Sequence, residues 1–387
     1  MGHLEVQLFA MKKLSFSLAG IFTTFSLFAN PFTPGDLVVV RAGDGSAPLS
    51  SVATAAFLDE YTTSGTFVQS IALPTTASGA NGALTLSGSA TSEGFLKLSV
   101  NGQYLTLAGY NALPGTAGVA TAAPTTVNRV VGVIDMNANI NTTTILTDAY
   151  NGSNIRSAIT TDGTSIWTGG NAGSGNGATA GVRYTTLGST TTTQINPTSS
   201  NMRVVNIFNG QLYVSSSTGT FLGVSSVGSG EPTGAASGPI SLLPGMPTSG
   251  THSSYDFWFK DSSTLYVADD GAVASGGGIQ KWTLSAGTWS LAYTLLNNGT
   301  TTTSMRGLTG TLDGSGNAVL YGTSPGGSLL AVTDTGASST STVLATVAAN
   351  EAFRGIALLT PVPEPTATAL IGFGLLSFAF SRRFRRL

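Results

Sequence analysis

Between residues 30 and 360 the chain carries short apolar and aromatic runs separated by clusters of Gly, Asn, Asp and Ser. Gly278-Ile-Gln-Lys-Trp-Thr-Leu284 and Trp289-Ser-Leu-Ala-Tyr-Thr-Leu-Leu296 are typical. No stretch in this region shows the three-to-four spacing of an amphipathic helix. Short runs rich in β-branched and aromatic residues, punctuated by turn formers, predict an all-β chain.

The runs repeat. An apolar residue followed by Arg opens a strand, Asp-Gly or Asn-Gly follows, and an apolar-aromatic strand comes next. Ile155-Arg156 leads to Asp162-Gly163 and Trp167, and Met202-Arg203 leads to Asn209-Gly210 and Tyr213. Met305-Arg306 leads to Asp313-Gly314 and Tyr321. Looser copies begin at Phe95, before Asn101-Gly102, and at Tyr255, before Asp261. Asx-Gly pairs adopt the positive φ that tight hairpins require, so each copy predicts two antiparallel strands, with further strands behind them. Measured at Phe95, Arg156, Arg203, Tyr255, Arg306 and Arg354, the spacings are 61, 47, 52, 51 and 48 residues. Four strands per 40–50 residues is the period of a propeller blade. The longest gap predicts a loop insertion over 111–126. Ala352–Leu359 is a first strand with nothing after it, whereas 36–40, 55–59 and 67–71 are later strands with no first strand before them. The expected fold is a β-propeller of about six four-stranded blades, closed by joining N- and C-terminal strands. A pair of sandwiches or a parallel β-helix is the rival arrangement.

Both ends read as addresses. Lys12-Lys13, the apolar run Leu14–Ala29 and the small residue Ala29 before Asn30 describe a secretory signal peptide, residues 1–29, with a natural start at Met11. At the other end Val362-Pro363-Glu364-Pro365 precedes an uncharged stretch, 366–381, and a tail, 382–387, holding Arg382, Arg383, Arg385 and Arg386. Sixteen residues of helix span about 24 Å, a little under a bilayer core. The arginines orient such a transmembrane helix with its tail cytoplasmic. This three-part end resembles the PEP-CTERM sorting signal of Gram-negative bacteria, with the short motif at 361–365. The resemblance implies an inner-membrane precursor, an exosortase-like processing enzyme that cuts near the motif, and a product at the cell envelope, cell surface or extracellular matrix. It also implies a link to exopolysaccharide.

Composition narrows the chemistry. The whole chain has 387 residues, of which 9% are charged, and no cysteine, which removes disulfides and thiolate chemistry. Residues 30–360 hold 10 basic and 16 acidic residues, a net charge of −6, so nucleic acid is not an expected partner. The sole histidine there, His252, reads as a solvated loop residue. Asp269-Asp270-Gly271 reads as an acidic turn rather than a calcium loop, and Gly169-Gly170 and Gly276–Gly278 as turns. Trp167, Trp258, Trp282 and Trp289 read as core. Neither a catalytic set, a metal site nor a cofactor is expected. Arg156, Arg203, Arg306 and Arg354 occupy equivalent places on innermost strands. They either hold neighbouring blades together or form a funnel for carboxylate or sulfate groups. The expected function is that of an exported envelope protein whose propeller binds a glycan or protein. A secreted lyase or hydrolase with carboxylates in the central funnel is the alternative.

If Ala29 ends the signal, N-terminal sequencing of exported protein returns a chain beginning at Asn30. A chain beginning at Met1 or Met11 in the envelope fraction contradicts it.

Overall fold

The computed structural model describes residues 30–196 and 201–360. The signal segment through Ala29, the sorting motif with Glu364, and the four C-terminal arginines lie outside the described residues. Six four-stranded antiparallel sheets account for nearly all the regular structure. Among the described residues helix is confined to two single 3₁₀ turns, Gly177–Thr179 and Val273–Ser275.

From the axis outward, the first blade runs Ala352–Leu358, Leu37–Ala42, Ala56–Tyr61 and Phe67–Ala72. The second runs Lys97–Leu98, Tyr104–Tyr110, Arg129–Asp135 and Ile140–Leu146. The other four start from Ile155–Thr160, Val205–Phe208, Ser254–Asp261 and Gly307–Leu312. The first blade takes its inner strand from the end of the domain and the rest from its beginning. Leu37 pairs with Leu358 and Ala42 with Ala352, across one irregularity between Val39 and Arg41.

The hairpins follow the turn chemistry. Asn209 and Gly210 sit at φ 48° and 71°, and Phe208 pairs directly with Gln211, a two-residue turn. At Asp313-Gly314 the left-handed residue is Gly316 instead, because the loop is longer and Asp313 caps it by accepting from the Ser315 and Asn317 amides. The expected insertion is the loop between Tyr110 and Arg129. Buried Arg129 holds it by donating to the carbonyls of Val127, Ala122, Tyr150 and Ser153. A two-stranded ribbon, Ala53–Thr54 with Leu86–Ser87, has no counterpart in the sequence reading. Gly169 and Gly170 are not a turn but close the strand Ser165–Gly170. A Cβ on Gly170 would stand 2.5 Å from the Asn154 carbonyl oxygen, so the pair lets neighbouring backbone approach. Of the Gly276–Gly278 run, Gly278 already opens the strand to Ser285.

Six buried apolar clusters fill the wedges between neighbouring blades. One cluster holds Leu58 with Leu105 and Leu107, another Tyr110 with Ile155, and a third Trp167 with Leu212. The others hold Met246 with Phe257, Leu295 with Met305, and Tyr321 with Phe353. Each fully buried side chain of this size contributes about 1.5–3 kcal/mol, so the blades are held by their faces. One wedge also carries a polar clamp. Asp334 accepts from the Tyr266 hydroxyl at 2.5 Å and the Tyr293 hydroxyl at 2.7 Å, and pairs with Lys281 at 2.8 Å. Burial raises the pKa of its carboxyl, but the donors from Lys281, Tyr266 and Tyr293 outweigh burial and hold it below the usual carboxylate value.

Two outcomes follow. Deleting residues 352–360 leaves Leu37–Ala42 an unpaired edge and should lower the melting temperature of the whole domain; an unchanged temperature contradicts the role given to this pairing. A carboxylate depressed in the fold stabilises above its unfolded pKa of about 3.9, and that contribution fades as pH falls through the lower folded value. Asp334→Asn should therefore lower stability at pH 7 by about 1–3 kcal/mol and remove part of the loss between pH 4 and pH 2, followed by denaturant unfolding.

Candidate functional site

The repeat residues gather at one end of the axial channel. Arg156, Arg203, Arg306 and Arg354 stand there, with Phe95 and Tyr255 filling the two remaining places. The blades that lack arginine are the second and the fifth, opposite each other in the ring. Their rings meet across the axis, centroids 5.8 Å apart. Tyr255 is also covered by Arg203 at 3.8 Å and Arg306 at 5.0 Å.

Each arginine reaches a neighbouring element. Arg156 donates to Asn201 and to the Met202 carbonyl, Arg203 to Ser253 and the Ser254 carbonyl, and Arg354 to the Gly88 carbonyl. Arg306 pairs with Asp270 at 2.6 Å and donates to the Thr91 carbonyl. Their own carbonyls continue the pattern: Arg156 accepts from the Phe95 amide, Arg203 from the Ser157 hydroxyl, Arg306 from the Asp256 amide and Arg354 from the Thr323 hydroxyl. Burial and the neighbouring Arg203 push Arg156 down to about 10, and burial also lowers Arg203 and Arg354. Arg156 and Arg354 are each 7% exposed, which leaves little of either guanidinium open to a ligand.

Below the arginines one ion pair bridges the channel. Lys97 of the second blade donates to Asp256 of the fifth, and both are buried. Asp256 also accepts from the Leu308 and Phe257 amides. Sequence reasoning missed this pair. Its signal was present in the two loose repeats, where opposite charges follow Phe95 and Tyr255 within two residues.

Beyond the ion pair the channel opens into a funnel of about 200 Å³, lined by inner-strand residues of five blades. Asn206, Phe208, Trp258 and Thr309 form the wall, Lys97 lies at the base, and Thr360 stands on the rim. Trp258 is half-buried and packs against the core cluster of Tyr266 and Leu308, its ring 6.0 Å from that of Tyr266; Trp167, Trp282 and Trp289 are buried. Gly310 makes room for the Trp258 ring, since a Cβ there would stand 2.8 Å from it. The Asn206 side chain donates to the Phe257 carbonyl at 3.4 Å and accepts from the Ile207 amide at 2.9 Å. Lys97 is the one ionisable side chain among the lining residues.

The remaining candidates stand apart from the funnel. Asp269 accepts from the Ser253 amide at 2.9 Å and the Gly271 amide at 2.8 Å, which ties down its turn. His252 is half-buried rather than solvated, and its buried Nδ1 has no partner. No group of three His, Cys, Asp or Glu side chains able to hold a metal occurs among the described residues.

Residues 361–386 match the PEP-CTERM protein-sorting motif. The chain carries a PEP-CTERM sorting signal. That signal implies an exported protein, processed by an exosortase and sorted to the cell envelope or surface. No curated protein matches the chain. Among solved structures, a periplasmic gluconolactonase of Pseudomonas aeruginosa is similar at 11% identity and TM-score 0.45, over 81% of this chain and 83% of that one. Hydrazine synthase of Kuenenia stuttgartiensis is similar at 11% identity and TM-score 0.43, over 81% and 80%. Likeness of this order carries nothing about activity.

Two substitutions separate the tiers of the channel. Lys97→Met leaves a buried carboxylate unpaired and should cost about 3–5 kcal/mol in chemical denaturation, with Lys97→Met/Asp256→Asn recovering part of the loss. Arg203→Gln should lower the melting temperature by several degrees if the arginines are ties between blades; an unchanged temperature contradicts that role.

Proposed function

We propose that this PEP-CTERM protein is a non-catalytic glycan-binding module of the cell envelope, and that its funnel receives a neutral sugar. The organisation behind this reading is a signal peptide, 1–29, a propeller, 30–360, the sorting motif at 361–365, a membrane helix, 366–381, and a cytoplasmic tail, 382–387. The observation that carries it is the funnel wall. Trp258, half-buried against Tyr266 and Gly310, leaves part of its indole on the funnel wall as an apolar contact for sugar C–H groups, while Asn206 and Thr309 offer polar groups beside it.

Charge selects among ligands. The hairpins at this end carry Asp162, Asp261 and Asp313, each held below the usual carboxylate value by hydrogen bonds to its own turn. An acidic rim favours an uncharged glycan over an acidic one. Chemistry argues for binding over cleavage. Glycoside hydrolysis uses a pair of carboxylates, and none lines the funnel.

The processed protein should be retained on a neutral polysaccharide without releasing product, and Trp258→Ala should weaken retention at least about tenfold, a loss of about 1.4 kcal/mol. Product release would establish the enzyme reading instead. Retention only on acidic glycans, abolished by Arg203→Gln with an unchanged melting temperature, would move the site to the arginine end.

A further inference from the structure

A groove of about 400 Å³ lies between the second and third blades. It is twice the volume of the funnel, shares no lining residue with it, and falls in the range of about 300–1,000 Å³ usual for small-molecule sites. Tyr104, Asp135 and Asn141 come from the second blade, Asn81 from the connection before it, and Asp162 and Gly163 from the first hairpin of the third. The hairpins before Tyr104 and around Asp162 both leave inner strands at the end where Leu98 lines the funnel, so the groove opens on the funnel face. Its walls are tied on both sides. The Val100 and Asn101 amides donate to the Thr160 and Thr161 carbonyls at 3.1 Å, and the Gly188 amide donates to the Thr144 hydroxyl at 3.0 Å. Gly163, at φ 88°, lies against the Tyr104 ring, where a Cβ would stand 2.8 Å from it. The groove is therefore built before any ligand arrives.

Its polar groups are unevenly used. Asp135 accepts from the Asn137 and Asn139 amides and the Asn139 side chain, and Asp162 from the Thr164 and Ser165 amides. Asn81 and Asn141 turn their side-chain oxygens to the Thr142 and Thr143 amides, which fixes the opposite ends of both side chains. Their Nδ2 groups and the Tyr104 hydroxyl have no hydrogen-bond partner among the described residues. Two carboxylates disfavour an anion here. No trio of acidic or histidine side chains converges on a cation among the described residues. Unused donors, carboxylate lone pairs and an aromatic ring suit an uncharged ligand rich in hydroxyls. We propose that this groove is a second binding site, taking a neutral sugar unit, so that the propeller holds a glycan at two places on one face. The groove stands on its own residues; only the joint hold on a single chain rests on the funnel reading above. Two linked sites retain a long glycan better than a short one, because the second contact forms at high local concentration.

Calorimetry on the processed protein tests this, with neutral oligosaccharides based on glucose, galactose and mannose as ligands. The expected count is two oligosaccharides per chain. Tyr104→Ala should remove one of them and Trp258→Ala the other. Tyr104→Phe keeps the ring on Gly163, so it should hold the melting temperature and still weaken the groove several-fold. One bound oligosaccharide, lost in Tyr104→Ala and kept in Trp258→Ala, would leave the groove standing and remove the funnel reading. Binding lost in Trp258→Ala and unchanged in both Tyr104 variants would overturn the groove alone. Calcium binding that disappears in Asp162→Asn would make the groove a cation site and overturn the proposal, as would failure of every oligosaccharide to bind.

Discussion

The structure depends on two distant stretches of chain sharing one sheet. Ala352–Leu358 and Leu37–Ala42 pair edge to edge, so the last strand of the domain is the innermost strand of the first blade. Each blade is a small sheet that cannot bury its two faces alone. The wedges of Leu, Val and aromatic side chains between blades exist only while every blade has two neighbours. The wedge that includes Tyr321 and Phe353 lies beside the pairing of the chain ends. Without that pairing, one open edge would expose unpaired strand and two apolar faces together.

The same arrangement organises the channel. Inner strands converge on the axis, and the chain treats its three levels differently. Each arginine at one mouth donates to one carbonyl of a neighbouring element, although the buried Nε atoms of Arg156 and Arg354 have no partner, and these bonds suit ties between units. A buried ion pair between opposite blades closes the middle, at a desolvation cost that two further amides to Asp256 help to offset. The remaining mouth keeps part of an aromatic ring, the side chains of Asn206 and Thr309, and an open funnel. Function on this account sits where the repeat is least regular.

Much of the fold was legible because its signals are local. Asx-Gly turns, the arginine marker and its period locate the six repeats, although Arg203 and Arg306 precede their inner strands rather than lying on them, and the missing first strand of the opening blade points to Ala352–Leu358. What escaped the sequence depends on the third dimension. Gly169-Gly170 looks like a turn but serves close approach between strands, and His252 looks solvated although the fold half buries it. Trp258 has the same local context as a core tryptophan and packs against Tyr266 and Gly310, and its place at the funnel wall leaves it half-buried. Lys97 and Asp256 are 159 residues apart, and only the opposition of the second and fifth blades brings them together.

Trp258 is also the means of testing the central claim, that the funnel is where this propeller meets its ligand. The chain has four tryptophans, and the other three are buried at 5% exposure or less. Collisional quenching of tryptophan emission by iodide therefore reports mainly on Trp258. Titration of the processed protein with a retained polysaccharide should abolish the quenchable fraction in parallel with binding. Saturation by the polysaccharide with the quenchable fraction unchanged would contradict the account and place the ligand elsewhere on the ring.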